Sequence, residues 1–204
     1  MTGKKIVTII LAAAMTALLL AGTAFGQDAA PAEAGGVTVT DMTGREVTLE
    51  TPAERVVALS AADCEILFAL GAGDLLVGRG EYCDYPAEVL EVPSVQSGYE
   101  TNLEEIIALE PQVLLMSSMA QTTEQVEALE AAGIRVVVSD AQDIEGVYES
   151  LAIIGKLTGK EKEAEEITAS MKESFAALAE EAKDNHSRIL PPPPTPRART
   201  LCRY

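Results

Sequence analysis

Between Arg55 and Leu157, short apolar runs alternate with longer amphipathic stretches, and this alternation restricts the chain to few folds. Arg55 to Leu59, Leu75 to Gly78, Val113 to Met116 and Ile134 to Val138 are too short for helices and mostly apolar, as strands buried on both faces are. Helical spacing follows each of them. The first helix is capped by Ser60, with Asp63 completing a capping-box-like start. Ile66, Leu67 and Leu70 form its inner face and Gly71 stops it. The others run from near Asn102 through Leu103, Ile106, Ile107 and Leu109 to before Pro111, from about Thr122 to Ala132, and from about Ile144 to Leu157. Alternating units of this length predict a Rossmann-like α/β lobe, a parallel sheet with helices on both faces. Ligands of such sheets gather outside the carboxyl ends of the strands. Those ends are Ser60-Ala61, Arg79 onward, Ser117-Ser118 and Ser139-Asp140.

The flanks differ in character. Met1 to Lys5 is basic and Ile6 to Phe25 almost wholly apolar, which reads as a signal peptide over residues 1–26. About 20 apolar residues are also enough to span a bilayer. Thr23 follows Leu20-Ala21-Gly22 where a lipoprotein signal carries cysteine, so no lipid anchor is expected. Residues 27–36 form a tether rich in Ala, Pro and Gly, and Val37 to Leu49 alternates as a small β-hairpin. From Lys160 to Asp184 there is no Gly or Pro. Ala164, Ile167, Met171, Phe175, Leu178 and Ala182 make one apolar stripe on a charged rod, a helix that needs something to lie against. Residues 185–204 turn to proline and arginine and can build no core. They read as a polyproline arm, or as a shifted reading frame or artificial junction that ends the native chain early.

Composition excludes several functions. Of 15 bases, two lie in residues 1–26 and four in residues 185–204, so the segment between carries nine bases against all 32 acids. Such a surface repels phosphate backbones, and nucleic acid is not an expected partner. The one histidine, His186, lies in the tail, leaving no imidazole base for a Ser-His-Asp or Cys-His system. No glycine pattern forms a phosphate cradle. Cys64, Cys83 and Cys202 have no metal-like spacing; Cys64 and Cys83 can pair in an oxidising compartment or stay as thiols.

What remains is binding. The passage from Gly78 to Ile106 holds three of the five tyrosines. Tyr82 and Tyr99 divide evenly between ligand rim and core, and Tyr85, before Pro86, reads as packing. Arg79 either pairs with an anionic group on a ligand or balances Glu81 or Asp84. Glu104 and Glu105 sit in the first turn of a helix, where the dipole favours acids.

The order of motifs carries a resemblance. V-T-V-T-D-M-T-G-R-E-V-T-L, R-V-V-A-L-S, E-I-L-F-A-L-G-A-G-D-L-L-V-G-R, Y-C-D-Y-P, N-L-E-E-I-I-A-L-E-P-Q-V-L-L and G-K-L-T-G-K-E-K-E-A-E appear in sequence. Together they resemble the amino-terminal half of solute-binding proteins of ATP-binding cassette importers for iron-siderophores and vitamin B12. The resemblance implies two α/β lobes joined by one long helix, with the ligand between them. Residues 37–158 match the amino-terminal lobe and residues 159–184 the joining helix, and the second lobe has no counterpart here. It further implies a non-enzymatic, exported monomer in the periplasm or at the cell surface. Such a protein captures cobalamin or a ferric siderophore, without a covalent cofactor or protein-metal bond, and delivers it to a permease. A haem-binding relative and an inactive truncated fragment are the alternatives. Tyr82, Tyr99, Gly98, Arg79 and Ser60 are the candidate ligand-binding residues, and Glu104 matches the acid that docks on the permease.

Overall fold

The computed structural model describes residues 36–98, 101–117 and 122–184. Residues 1–35 and 185–204, with the signal, tether and tail readings, lie outside the described residues. The hairpin pairs β1 (Val37–Thr40) with β2 (Glu46–Leu49) antiparallel, turning Val37, Val39, Val47 and Leu49 inward. Its turn is fixed by Asp41. One carboxylate oxygen accepts from the Thr43 amide and hydroxyl and the Arg45 amide, and the other accepts from the Arg45 guanidinium at 2.9 Å. Burial pushes the Asp41 carboxyl up, but the bonds from Thr43 and Arg45 outweigh it and hold it below its ordinary value.

Five strands form one wholly parallel sheet: β3 (Val56–Ala58), β4 (Leu76–Gly80), β5 (Ser94–Val95), β6 (Val113–Met116) and β7 (Arg135–Val138). Their order is β5-β4-β3-β6-β7, so the chain winds outward from β3 to β5 and then crosses back to build β6 and β7. The winding therefore reverses between β3 and β6. Strand residues alternate between two apolar layers, which is why the central strands β3 and β6 lack polar positions. Val56, Ala58, Val113, Leu115 and Val137 join Cys64, Leu67 and Ile154 on one face, while Val57, Leu114, Met116, Val136 and Val138 join Ile106 and Leu129 on the other.

The helices are α1 (Ala61–Ala69), α2 (Leu103–Ala108), α3 (Thr123–Ala131), α4 (Ile144–Thr158) and α5 (Glu161–Asp184). Ser60, Asn102, Thr122 and Asp143 cap the first four with side-chain oxygens. Gly159, in the left-handed region at φ 68°, ends α4 and folds α5 back against it. At about 1.5 Å per residue, α5 is roughly 36 Å long. Its first three turns bury Ala164 and half-bury Ile167 and Met171, while every described side chain from Lys172 to Lys183 is exposed.

The structure adds to the sequence reading in three places. Strand β4 runs through Gly80, so Arg79 lies inside it rather than beyond its end. The two-residue strand β5 has no periodicity to betray it and is held by pairing to Arg79 and Gly80. Of the apolar residues read onto α2, Ile106 is buried while Ile107 is 40% exposed.

Candidate functional site

The winding reversal leaves a cavity of about 510 Å³ above the carboxyl ends of β3, β6 and β7. Ser60, Ser117, Ser139 and Asp140 contribute from those strand ends. Ile66 from α1, Val147 and Leu151 from α4, and Ile167 and Met171 from α5 supply an apolar lining, and Tyr85 completes it. Tyr85 is 67% exposed, so its ring is available to an incoming surface.

The polar groups are largely spent on the protein itself. The Ser139 and Ser150 hydroxyls share a hydrogen bond of 3.0 Å, and the Met42 sulfur accepts from the Asp140 amide at 3.1 Å. Beneath the cavity, Asp63 is wholly buried. The Ser60 hydroxyl accepts from the Asp63 amide at 3.1 Å and donates to its carboxylate Oδ2 at 2.6 Å, while Oδ1 has no hydrogen-bond partner. Burial pushes the Asp63 carboxyl up to about 6; the Ser60 and Ser139 hydroxyls oppose this and the charge of Asp140 adds to it. Glu65 and Asp140 are the charged residues lining the cavity, and no base lines it among the described residues. The geometry offers an apolar surface with hydroxyls at the rim. It sets out no nucleophile beside an imidazole, and no cluster of three or more metal-ligating side chains is placed among the described residues.

The candidate residues scatter around this cavity rather than converging in it. Ser60 lines it. Tyr82 is 76% exposed on the loop after β4, beside Glu81, whose hydrogen bond and charge push its hydroxyl up. Arg79 donates to the carbonyls of Val92, Gly80 and Cys83, clamping that loop to its own strand instead of balancing Glu81 or Asp84. Gly98 takes φ 106° and its carbonyl accepts from the Thr101 hydroxyl at 3.2 Å. Tyr99 lies outside the described residues. Glu104 is exposed in the first turn of α2, whereas Glu105 accepts from the Gln96 amide at 3.0 Å. The residue that reading by sequence passed over is Tyr85. Its only signal was the company of Tyr82 in Y-C-D-Y-P, and the following proline argued for packing.

Comparison with known proteins follows the same outline. The family model described as periplasmic binding protein matches residues 56–191. The chain belongs to the periplasmic binding protein family. Among its relatives, an uncharacterized ABC transporter substrate-binding lipoprotein of Bacillus subtilis, YvrC, is 37% identical over 150 residues, covering 72% of this chain and 48% of the relative. A cobalamin-binding protein of Halobacterium salinarum is 32% identical over 194 residues, covering 91% and 52%. The crystal structure of a periplasmic heme-binding protein from Pseudomonas aeruginosa superposes with TM-score 0.59 at 26% identity, over 63% of this chain and 46% of that one. The chain thus spans about half the length of the curated relatives it matches. Its parallel sheet and flanking helices are those of a periplasmic binding protein lobe, and the family is one of substrate-binding transport proteins rather than enzymes. No helix of the described residues is long and apolar enough to cross a membrane.

Proposed function

We propose that this chain is the amino-terminal lobe of an extracytoplasmic binding protein that captures a metal chelate and hands it to the permease of an ABC importer. The observation carrying the proposal is the apolar cavity at the sheet's switch point, rimmed by hydroxyls and by the exposed ring of Tyr85. Charge narrows the ligand. Two carboxylates and no base line the cavity among the described residues, which disfavours a polyanionic chelate such as a ferric tris-catecholate. A corrinoid, amphipathic and rich in amides, suits the lining better, so we place cobalamin ahead of ferric siderophores and haem. Tyr85 joins Tyr82, Tyr99, Ser60 and Gly98 as proposed ligand residues, and Arg79 is assigned to holding the loop. Glu104, exposed and without a partner among the described residues, is the proposed permease-docking acid.

One lobe covers a single side of a ligand, so binding is expected to be weak and is best read by NMR at millimolar ligand. Cyanocobalamin should shift the amide resonances of Ser60, Ser117 and Ser139 more than a ferric tris-catecholate or haemin does. Tyr85→Ala should weaken the response about tenfold, the worth of one aromatic contact near 1.4 kcal/mol. Glu104→Ala should leave it unchanged while lowering stimulation of the importer's ATPase. Shifts that miss the cavity with all three probes would overturn the assignment of the site, and a preference for the anionic chelate would overturn the choice of ligand.

A further inference from the structure

Cys64 and Cys83 are far apart in the chain, yet both thiols lie in the core against the consecutive carbonyls of Ala58 and Leu59 at the end of β3. Cys64 stands in the first turn of α1 with its thiol 3.7 Å from the Ala58 carbonyl, and the Cys83 thiol lies 3.9 Å from the Leu59 carbonyl. Both are fully buried and unlinked, they belong to one apolar core cluster, and each thiol perturbs the titration of the other. Thiols set against neighbouring carbonyls can reach the bonding distance of about 2 Å by side-chain rotation and a local approach of the loop to α1. The backbone around Cys83 is already held: its amide donates to the Gly80 carbonyl at 3.1 Å and its carbonyl accepts from Arg79 at 3.0 Å. Cys83 is flanked by the exposed Tyr82 and followed by Tyr85 of the cavity rim.

We propose that Cys64 and Cys83 are a disulfide-forming pair that, on meeting a small-molecule disulfide, cross-links the tyrosine-bearing loop to helix α1. When a local opening of the loop after β4 uncovers it, the Cys83 thiolate attacks one sulfur of the oxidant and expels one thiol; as the loop recloses, the Cys64 sulfur attacks Cys83 in the mixed disulfide and expels the second. The protein loses two hydrogens and the oxidant is reduced to two thiols. Cys83 goes first because the neighbouring Cys64 thiol, then the Gly80 backbone amide and the Arg79 charge, draw its thiol down against the opposing effect of burial. The neighbouring Cys83 thiol and burial push Cys64 up. The bond would fix the rim of the cavity whether or not the proposed ligand is right, so its test stands apart from the binding test.

The test uses the full chain carrying Cys202→Ser, which leaves two thiols. After incubation with oxidised glutathione at neutral pH, unfolding and alkylation with N-ethylmaleimide, the mass should fall by two hydrogens with no adduct. Digestion should then yield one peptide joining Cys64 to Cys83, lost on treatment with dithiothreitol. Closing a loop of this length should raise the thermal midpoint by about 6 to 12 °C over the reduced protein, and Cys83→Ala should abolish that oxidant-dependent rise. Two maleimide adducts, persistent glutathione adducts, or a linked peptide without a change in midpoint would each overturn the proposal.

Discussion

Water no longer reaches the Asp63 carboxyl, and its rise to about 6, caused first by burial, makes it a proton acceptor that folding strengthens. An acid whose folded value lies above its ordinary 3.8 contributes stability that is complete below about 3.8 and is lost as pH climbs through 6. At 1.36 kcal/mol per unit, the loss is on the order of 3 kcal/mol. Asp41 has the opposite sign: held below its ordinary value, it supports the fold at neutral pH and fails only under acid. Urea midpoints measured from pH 4 to pH 7.5 should therefore decline in the unaltered protein and stay nearly level in Asp63→Asn, whose amide oxygen can still accept from Ser60. Parallel pH profiles in the two proteins would show that Asp63 titrates as if exposed. The capping by Ser60 was legible in the spacing, but Asp63 returns its carboxylate to the Ser60 hydroxyl rather than to the Ser60 amide. The burial was not legible, since it depends on β7 delivering Ser139 and Asp140 from far along the chain.

Helices α4 and α5 approach tightly where Gly155 faces Ala164. A Cβ on Gly155 would stand 2.7 Å from the Ala164 Cβ and 3.0 Å from the Lys160 carbonyl oxygen. Two effects of opposite sign then compete in Gly155→Ala. Alanine favours a helix over glycine by about 1 kcal/mol, while overpacking a tight contact costs about 1 to 3 kcal/mol. The obstacles are a short side chain and backbone, neither able to swing aside, so overpacking should win. Gly155→Ala should lower the urea midpoint at constant slope, and Ala164→Gly added to it should recover part of the loss; a raised midpoint for the single variant would mean the helices separate freely. At this scale the sequence was most informative for strands β3 and β6, whose unbroken apolar runs have no other use, and for α4 and α5, punctuated by Gly159. It was least informative for the cavity floor. Val147, Leu151, Ile167 and Met171 fall on apolar stripes that look alike whether they bury a core or line a cleft.

Across the whole molecule, stability should be graded from the sheet outward. Val57 and Leu114 are fully buried in the middle of the sheet, on strands paired from both sides. Helix α5 begins in that framework, with Ala164 buried and Met171 half-buried, and then leaves it: Phe175 is 42% and Leu178 60% exposed. A helical segment of about 12 residues is marginal in water without tertiary contacts, because its stability comes mostly from packing an apolar face. Lys172 Nζ, 4.9 Å from the centre of the Tyr148 ring, ties α5 to α4 near the point where its burial ends. Amide hydrogen exchange should therefore divide α5 in two. Amides around Ala164 to Met171 should share the slow exchange of α4, those of Val57 and Leu114 should open only with global unfolding, and those from Phe175 to Lys183 should exchange at least about 100-fold faster through local fraying. Uniform protection along α5 that is independent of protein concentration would defeat this picture, because the Phe175 and Leu178 stripe would then be covered within the chain itself.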